Sequence, residues 1–328
     1  MKVCQVMGGS DDGGLETHFM DLANGLAALG DEVVAIGHPR YRDGFDATVH
    51  FAPLNLARNR RDPFLRRTLR RLIEANAPAI VHAQGGKAAD LIAAIRPSAR
   101  VVGTIHNKKS NLTSYLGFDA VIGVSRGVVA DLRHDNKHVV YNGVHPPSSS
   151  LSAAQLRQRF AIPDDEKLTL AIGRLVPAKA FHRLVEIWDD TMGRLLIVGE
   201  GPERRRLEPL AEGKPVILAG FQPDARSMMT GADLMVFASE REGFSYAMVE
   251  ALQARLPIVS TPVPGAAELL PPTHLASAGN LKPAIKECLA DPDAARVRMD
   301  RLFQWAAQTL TVDKMVEATR DVYLGITR

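Results

Sequence analysis

The chain has 328 residues, 46% of them apolar and 23% charged, an ordinary globular composition long enough for two cores of about 150 residues each. Its two cysteines, Cys4 and Cys288, exclude a disulfide scaffold and fit a reducing cytoplasm. No apolar run approaches the roughly 18 residues needed to span a bilayer. The net charge of +3 excludes little as a total, but it is unevenly placed.

The opening segment, Met1-Lys-Val-Cys-Gln-Val-Met7, reads as a buried strand rather than as a secretion signal. It runs into Gly8-Gly-Ser-Asp-Asp-Gly-Gly-Leu15 and then into a helix, Leu15 to Leu29, with Leu15, Phe19, Leu22 and Leu26 on one face and Gly30 as its stop. A glycine-rich loop before a helix suits either phosphate approach or a plain tight turn. It is not a P-loop, because Gly14-Leu15 stands where Lys-Ser/Thr is required, and it does not match the dinucleotide fingerprint either.

Further strands are predicted near 32–37, 47–51, 79–82, 100–105, 119–123 and 138–141. Between them, Pro63 to Ala75 reads as a helix with Leu65, Leu69, Leu72 and Ile73 on one face and Arg66, Arg67, Arg70 and Arg71 on the other. The stretch Arg58–Arg71 holds seven arginines against Asp62 alone. This face is either a solvated surface or an attachment to an anionic membrane or acidic acceptor. Nucleic acid is disfavoured, since no aromatic residues interleave the arginines after Phe64.

Val144-His-Pro-Pro-Ser-Ser-Ser150 reads as a linker, dividing the chain into domains 1–146 and 147–310, with about 311–328 returning to the first. The second half repeats the alternation, with strands near 167–173, 194–198, 215–218, 233–237 and 257–260 and helices near 179–188, 202–212, 223–230 and 245–254. Two doubly wound α/β domains are therefore expected, with ligands at the carboxyl ends of the sheets.

The chemistry concentrates in Glu242-Gly-Phe-Ser-Tyr-Ala-Met-Val-Glu250. Glu242 falls on a strand-to-helix loop, and Glu250 falls about two turns away within the helix. Gly243 permits close backbone approach, and the amides of Phe244, Ser245 and Tyr246 would form an anion seat at the positive helix end. Two carboxylate acceptors for hydroxyl groups beside a phosphate seat match what a nucleotide-sugar requires. Gly173-Arg174-Leu175 and Lys179, at the carboxyl edge of the same sheet, supply two cations able to neutralise a diphosphate without a metal. Asp291-Pro-Asp293 reads as a helix N-cap, not as a metal motif. His106 ends a strand at a carboxyl edge, where ligand-contacting groups gather.

Together with Gly13-Gly14-Leu-Glu16, Thr104-Ile-His106-Asn107, Val124-Ser125, Tyr141-Asn-Gly-Val144 and Ile197-Val-Gly-Glu-Gly-Pro202, these residues resemble, in order and over nearly the whole chain, the family 4 glycosyltransferases. The resemblance implies a GT-B fold, with an acceptor site mainly in the first Rossmann-like domain, a donor site mainly in the second, and a last helix crossing back. It implies that Arg174 and Lys179 bind the donor diphosphate, that Glu250 binds the ribose, and that Glu242 and His106 contact the transferred sugar. Gly13, Gly14, Phe221, Gly243, Phe244, Ser245 and Tyr246 complete the implied donor site. It further implies retaining transfer of a hexose from a UDP-sugar, without metal or cofactor, to a glycan or lipid-linked acceptor in bacterial surface polysaccharide or lipopolysaccharide synthesis. Two departures stand out: Lys179-Ala-Phe-His182 where the family commonly has Lys-Gly-Phe-Asp, and His82-Ala-Gln84 where it commonly has His-Ala-His. The alternatives are a nucleotide-sugar 2-epimerase of the same fold and a non-catalytic nucleotide-sugar-binding protein. The intact pair of cations and both glutamates argue against the latter.

Overall fold

The structure, a computed structural model, describes residues 1–11, 13–57 and 59–327. In chain order its first elements are β1 (Lys2–Met7), α1 (Gly14–Ala28), β2 (Glu32–Gly37), β3 (His50–Pro53), α2 (Pro63–Asn76), β4 (Ile80–Gln84), α3 (Gly85–Ile95), β5 (Arg100–Ile105), β6 (Ala120–Gly123), α4 (Arg126–Val129) and β7 (Lys137–Val139). Then follow α5 (Ala153–Arg159), β8 (Leu168–Ile172), α6 (Phe181–Ile187), β9 (Arg194–Val198), α7 (Arg204–Ala211), β10 (Val216–Gly220), α8 (Ala225–Met228), β11 (Leu234–Phe237), α9 (Tyr246–Gln253) and β12 (Ile258–Ser260). Helices α10 (Pro264–Leu269), α11 (Leu281–Ala290), α12 (Pro292–Arg298), α13 (Asp300–Thr309) and α14 (Val312–Thr327) close the chain. Contacts divide it into two compact units, Met1–Gly143 with Val312–Arg328, and Val144–Thr311.

The first unit carries a parallel sheet in the order β3-β2-β1-β4-β5-β6-β7. The apolar runs of β1, β4 and β5 are buried, as expected of parallel strands covered by helices on both faces. Strand order reverses between β1 and β4, so the loops after these two strands flank the switch point where such sheets take ligands. Helix α14 belongs to this unit and packs on α1. A Cβ at Gly25 would lie 2.4 Å from Val316 Cγ2, so only glycine permits this approach of the two helices. Arg320 Nε donates to Asp31 Oδ2 at 2.7 Å, pinning α14 to the turn after α1.

The second unit has a parallel five-stranded sheet ordered β10-β9-β8-β11-β12. Its switch point lies between β8 and β11, and the loops that follow these strands hold Arg174 and Lys179 on one side and Glu242 and Gly243 on the other. Leu184, Leu195, Ile197, Val236 and Val259 are among the residues of the core beneath. Asp291 caps α12, its carboxylate accepting from the Ala294 amide at 2.9 Å.

Element edges depart from the sequence reading in informative places. β3 starts at His50 rather than 47, because Val49 N–H closes a turn onto the Asp46 carbonyl. α6 starts at Phe181 rather than 179, because Ala180 takes the left-handed conformation at φ 49° after a 3-10 turn over Pro177–Lys179. This is the position where the resembled family commonly has glycine, the residue that adopts that conformation without steric cost.

Candidate active site

In the second unit the two carboxyl-edge loops are tied together by their backbones. The Glu240 amide donates to the Ala178 carbonyl at 2.9 Å, and the Gly265 amide donates to the Gly243 carbonyl at 2.8 Å. A Cβ at Gly265 would lie 2.4 Å from Phe244 Cδ2, so the start of α10 clamps the Glu-Gly-Phe loop from behind. Phe244 and Ser245 are buried, so the Phe244 ring serves packing and only its backbone can face a ligand.

Lys179 Nζ is ion-paired with Glu242 Oε2, each side chain less than one-fifth exposed. The two residues assigned to separate parts of a donor are thus mutually neutralised in this structure. Arg174 is exposed and shares the loop after β8 with Lys179. Glu250 sits about one turn inside α9, which begins at Tyr246 with Ser245 at its cap. Burial pushes its carboxyl pKa up, against the opposing influence of the Arg226 guanidinium. Arg226 Nη2 in turn donates to Gln253 Oε1 at 3.2 Å, one turn further along α9. Phe221 follows β10 and is 72% exposed.

In the first unit, Gly13 caps α1 and Gly14 begins it. Arg40 Nη1 donates to the Ser10 carbonyl at 2.7 Å and Tyr41 donates to the Asp11 carbonyl at 2.6 Å, so a 3-10 turn over Pro39–Gly44 holds the loop. Asp12 lies outside the described residues. His106 follows β5 and is half-buried, its Nε2 3.0 Å from Gln84 Oε1 and its ring 4.7 Å edge-on from His18.

Behind His106 lies a polar network that the sequence reading missed. Gln84 Nε2 donates to Gln5 Oε1 at 3.1 Å. His82 contacts the Tyr323 hydroxyl at 2.5 Å and the Thr104 hydroxyl at 2.7 Å, and His18 Nδ1 lies 3.2 Å from Asn142 Oδ1. Burial lowers the His18 pKa to about 4, with the Asn142 hydrogen bond acting the other way. Burial, and then the neighbouring His18, lower His82 to about 3. His106 is held well below its ordinary value by burial and then by His18, His82 and Lys109. All three rings are therefore neutral at pH 7. The available signal was a polar residue inside an apolar strand, Gln5 in Val3-Cys-Gln-Val6 and His82 in Ile80-Val-His-Ala83.

Family models match both halves: Glycosyltransferase Family 4 over residues 12–146 and Glycosyl transferases group 1 over 152–300. The chain is a family 4-type glycosyltransferase with the GT-B fold. Among its relatives is a lipopolysaccharide core biosynthesis glycosyltransferase, LpsE, of Rhizobium meliloti, 26% identical over 347 residues that cover 99% of this chain and 98% of that protein. A GDP-mannose-dependent phosphatidylinositol dimannoside mannosyltransferase of Mycobacterium tuberculosis is 29% identical over 187 residues, 51% of this chain and 49% of that one. In fold, the glycosyltransferase is similar to Anabaena Alr3699/HepE solved with UDP and glucose, at a TM-score of 0.82 and 19% identity over 99% of this chain and 100% of the other.

Proposed function

We propose that this glycosyltransferase moves a hexose from a UDP-sugar to a glycan or lipid-linked acceptor in surface polysaccharide or lipopolysaccharide synthesis, with retention of configuration and without a metal. The observation that carries this reading is the grouping of Arg174, Lys179 and Glu242 on two adjoining loops at one switch point, with Glu250 on the helix that follows. Arg174 and Lys179 bind the diphosphate and stabilise the negative charge that grows on it as the glycosidic bond breaks. The acceptor hydroxyl attacks from the face the phosphate leaves, and a phosphate oxygen takes its proton. Glu242 and His106 hold hydroxyls of the transferred sugar. Glu250 accepts from the ribose hydroxyls, and the amides at the start of α9 support phosphate or sugar.

The donor class draws support from HepE, solved with UDP and glucose, and the acceptor class from the role named for LpsE. GDP-mannose is the competing donor, since a mycobacterial relative is named for it. Thermal-shift measurement across UDP-, GDP- and ADP-sugars separates them, because a ligand at a hundred times its Kd adds about 2.7 kcal/mol to stability. Stabilisation by UDP-sugars alone supports the reading. Stabilisation by GDP-mannose alone overturns the choice of base, and conversion of donor to a 2-epimer without acceptor overturns transfer itself.

For attachment we propose the basic face of α2. Asp62 caps this helix, Leu65, Leu69 and Ile73 are buried, and Phe64 is 81% exposed beside the arginines. Arg66, Arg67, Arg70, Arg71 and Glu74 line an open groove of about 520 Å³. Part of the positive charge is committed within the fold, since Arg60 pairs with Asp90 and Arg70 Nη2 donates to the Ile95 carbonyl at 2.6 Å. Arg58 lies outside the described residues. Among the described residues no helix is long and apolar enough to cross a membrane.

A further inference from the structure

The side-chain contacts behind His106 fix more than its position. Gln84 places its amide nitrogen toward Gln5 Oε1, at 3.1 Å, and toward His82 Nδ1, at 3.5 Å. In this orientation the Gln84 amide donates to Gln5 Oε1. With the nitrogen committed, the Gln84 oxygen is what remains to meet His106 Nε2 at 3.0 Å. An oxygen at that distance accepts, so Nε2 carries the ring proton and Nδ1 carries a lone pair.

We propose that Gln84 is a positioning residue for transfer: its side-chain oxygen fixes His106 as the Nε2–H tautomer, so that Nδ1 accepts a hydrogen bond from a hydroxyl of the transferred sugar. This rests on the reading that His106 contacts that sugar. The chain of dependence runs from β1 through β4 to the end of β5. Gln5 orients Gln84, and Gln84 orients and polarises His106. All of Gln5 and nearly all of Gln84 is shielded from water, so no solvent competes for these bonds. His82 is held at both ring nitrogens, Nδ1 by the Tyr323 hydroxyl and Nε2 by the Thr104 hydroxyl. The last helix, through Tyr323, thereby bears on the same array. The titratable groups facing His106 are His18 on α1, His82 on β4 and Lys109 in the loop after β5, none of which is a carboxylate that would favour an imidazolium.

The test uses the intact protein with histidine labelled in its ring nitrogens. Two-bond nitrogen–proton spectra at pH 7 are expected to show His106 as the Nε2–H tautomer in the wild type. The same spectra of Gln84→Leu are expected to show a mixture of both neutral forms. Transfer by Gln84→Leu should fall about tenfold in kcat/KM, the worth of one misdirected hydrogen bond, with the Kd of free nucleoside diphosphate unchanged. A wild-type Nδ1–H form overturns the proposal without needing the variant to fold, and so does a tautomer unmoved by Gln84→Leu. Full transfer by His106→Ala overturns the sugar contact on which the proposal rests. The spectra decide Gln84's part separately, so the two failures are distinguishable.

Discussion

The ion pair between Lys179 and Glu242 makes a prediction that runs against simple charge counting. A nucleoside diphosphate must draw Lys179 away from Glu242 before phosphate can take its place. With a full nucleotide-sugar, the sugar hydroxyls then satisfy Glu242. With free nucleoside diphosphate nothing does, and a carboxylate less than one-fifth exposed is left beside a dianion. Exposed pairs contribute about 0–1 kcal/mol, and breaking a fully buried one costs about 3–5 kcal/mol. At intermediate exposure the penalty on free nucleotide is about 1 kcal/mol, or roughly fivefold in Kd. Glu242→Gln removes it, so this variant should bind free UDP as tightly as wild type or up to about fivefold more tightly, while losing the tighter binding of UDP-sugar over UDP. Lys179→Ala should lose about 1.5–3 kcal/mol on both ligands, a tenfold to hundredfold weakening. Titration calorimetry with UDP and with UDP-sugar on the three proteins reads all of this. A tenfold loss of free UDP affinity in Glu242→Gln would refute the competition argument.

Other outcomes follow from neighbouring groups. Glu250→Gln should weaken free nucleotide and nucleotide-sugar alike by calorimetry, in contrast to Glu242→Gln; equal effects of the two changes on free UDP would contradict the division of roles. Transfer should persist in EDTA, and loss of activity that magnesium or manganese restores would mean the cation pair has been misread. His18 and His82 have folded-state pKa values lowered to about 4 and about 3, so their contribution to stability is complete above the unfolded value near 6.5 and is lost as pH falls below it. Each should cost about 2 kcal/mol between pH 7 and pH 5; denaturant midpoints that stay constant over that range would contradict neutral burial. The α2 face should co-sediment with anionic vesicles in a salt-sensitive way, at about 1 kcal/mol per basic residue near the surface, and equal binding to neutral vesicles, or none to either, leaves the arginines a solubilising role only.

The fold was legible because buried parallel strands announce themselves. Val3-Cys-Gln-Val-Met7, Val101-Val-Gly-Thr-Ile105 and Leu234-Met-Val-Phe237 are apolar runs separated by helical periodicity, and the structure places each on a strand. Where edges moved, a local backbone effect outweighed the pattern: the Asp46–Val49 turn delays β3, and left-handed Ala180 delays α6. Helix α3 was hard to see because it opens on Gly85-Gly86, with Gly85 at φ 76°. The two loops at the second switch point were readable since Arg174 with Lys179, and Glu242 with Glu250, each fall within one short motif. The array behind His106 was not, because Gln5, His18, His82, Gln84, Asn142 and Tyr323 are scattered over the chain and meet only once the sheet and α14 are assembled. No spacing rule links residues 241 positions apart.

The central claim is that the switch point of the second sheet binds the diphosphate of a nucleotide-sugar through Arg174 and Lys179. Calorimetric titration of UDP-sugar into the wild type and into the Arg174→Ala, Lys179→Ala double variant tests it most directly, with denaturant unfolding of both proteins to confirm that each is folded. The account predicts saturable binding by the wild type and a loss of at least a hundredfold in the double variant, since each charge-assisted contact contributes about 1.5–3 kcal/mol. Equal affinity in the two folded proteins would contradict it.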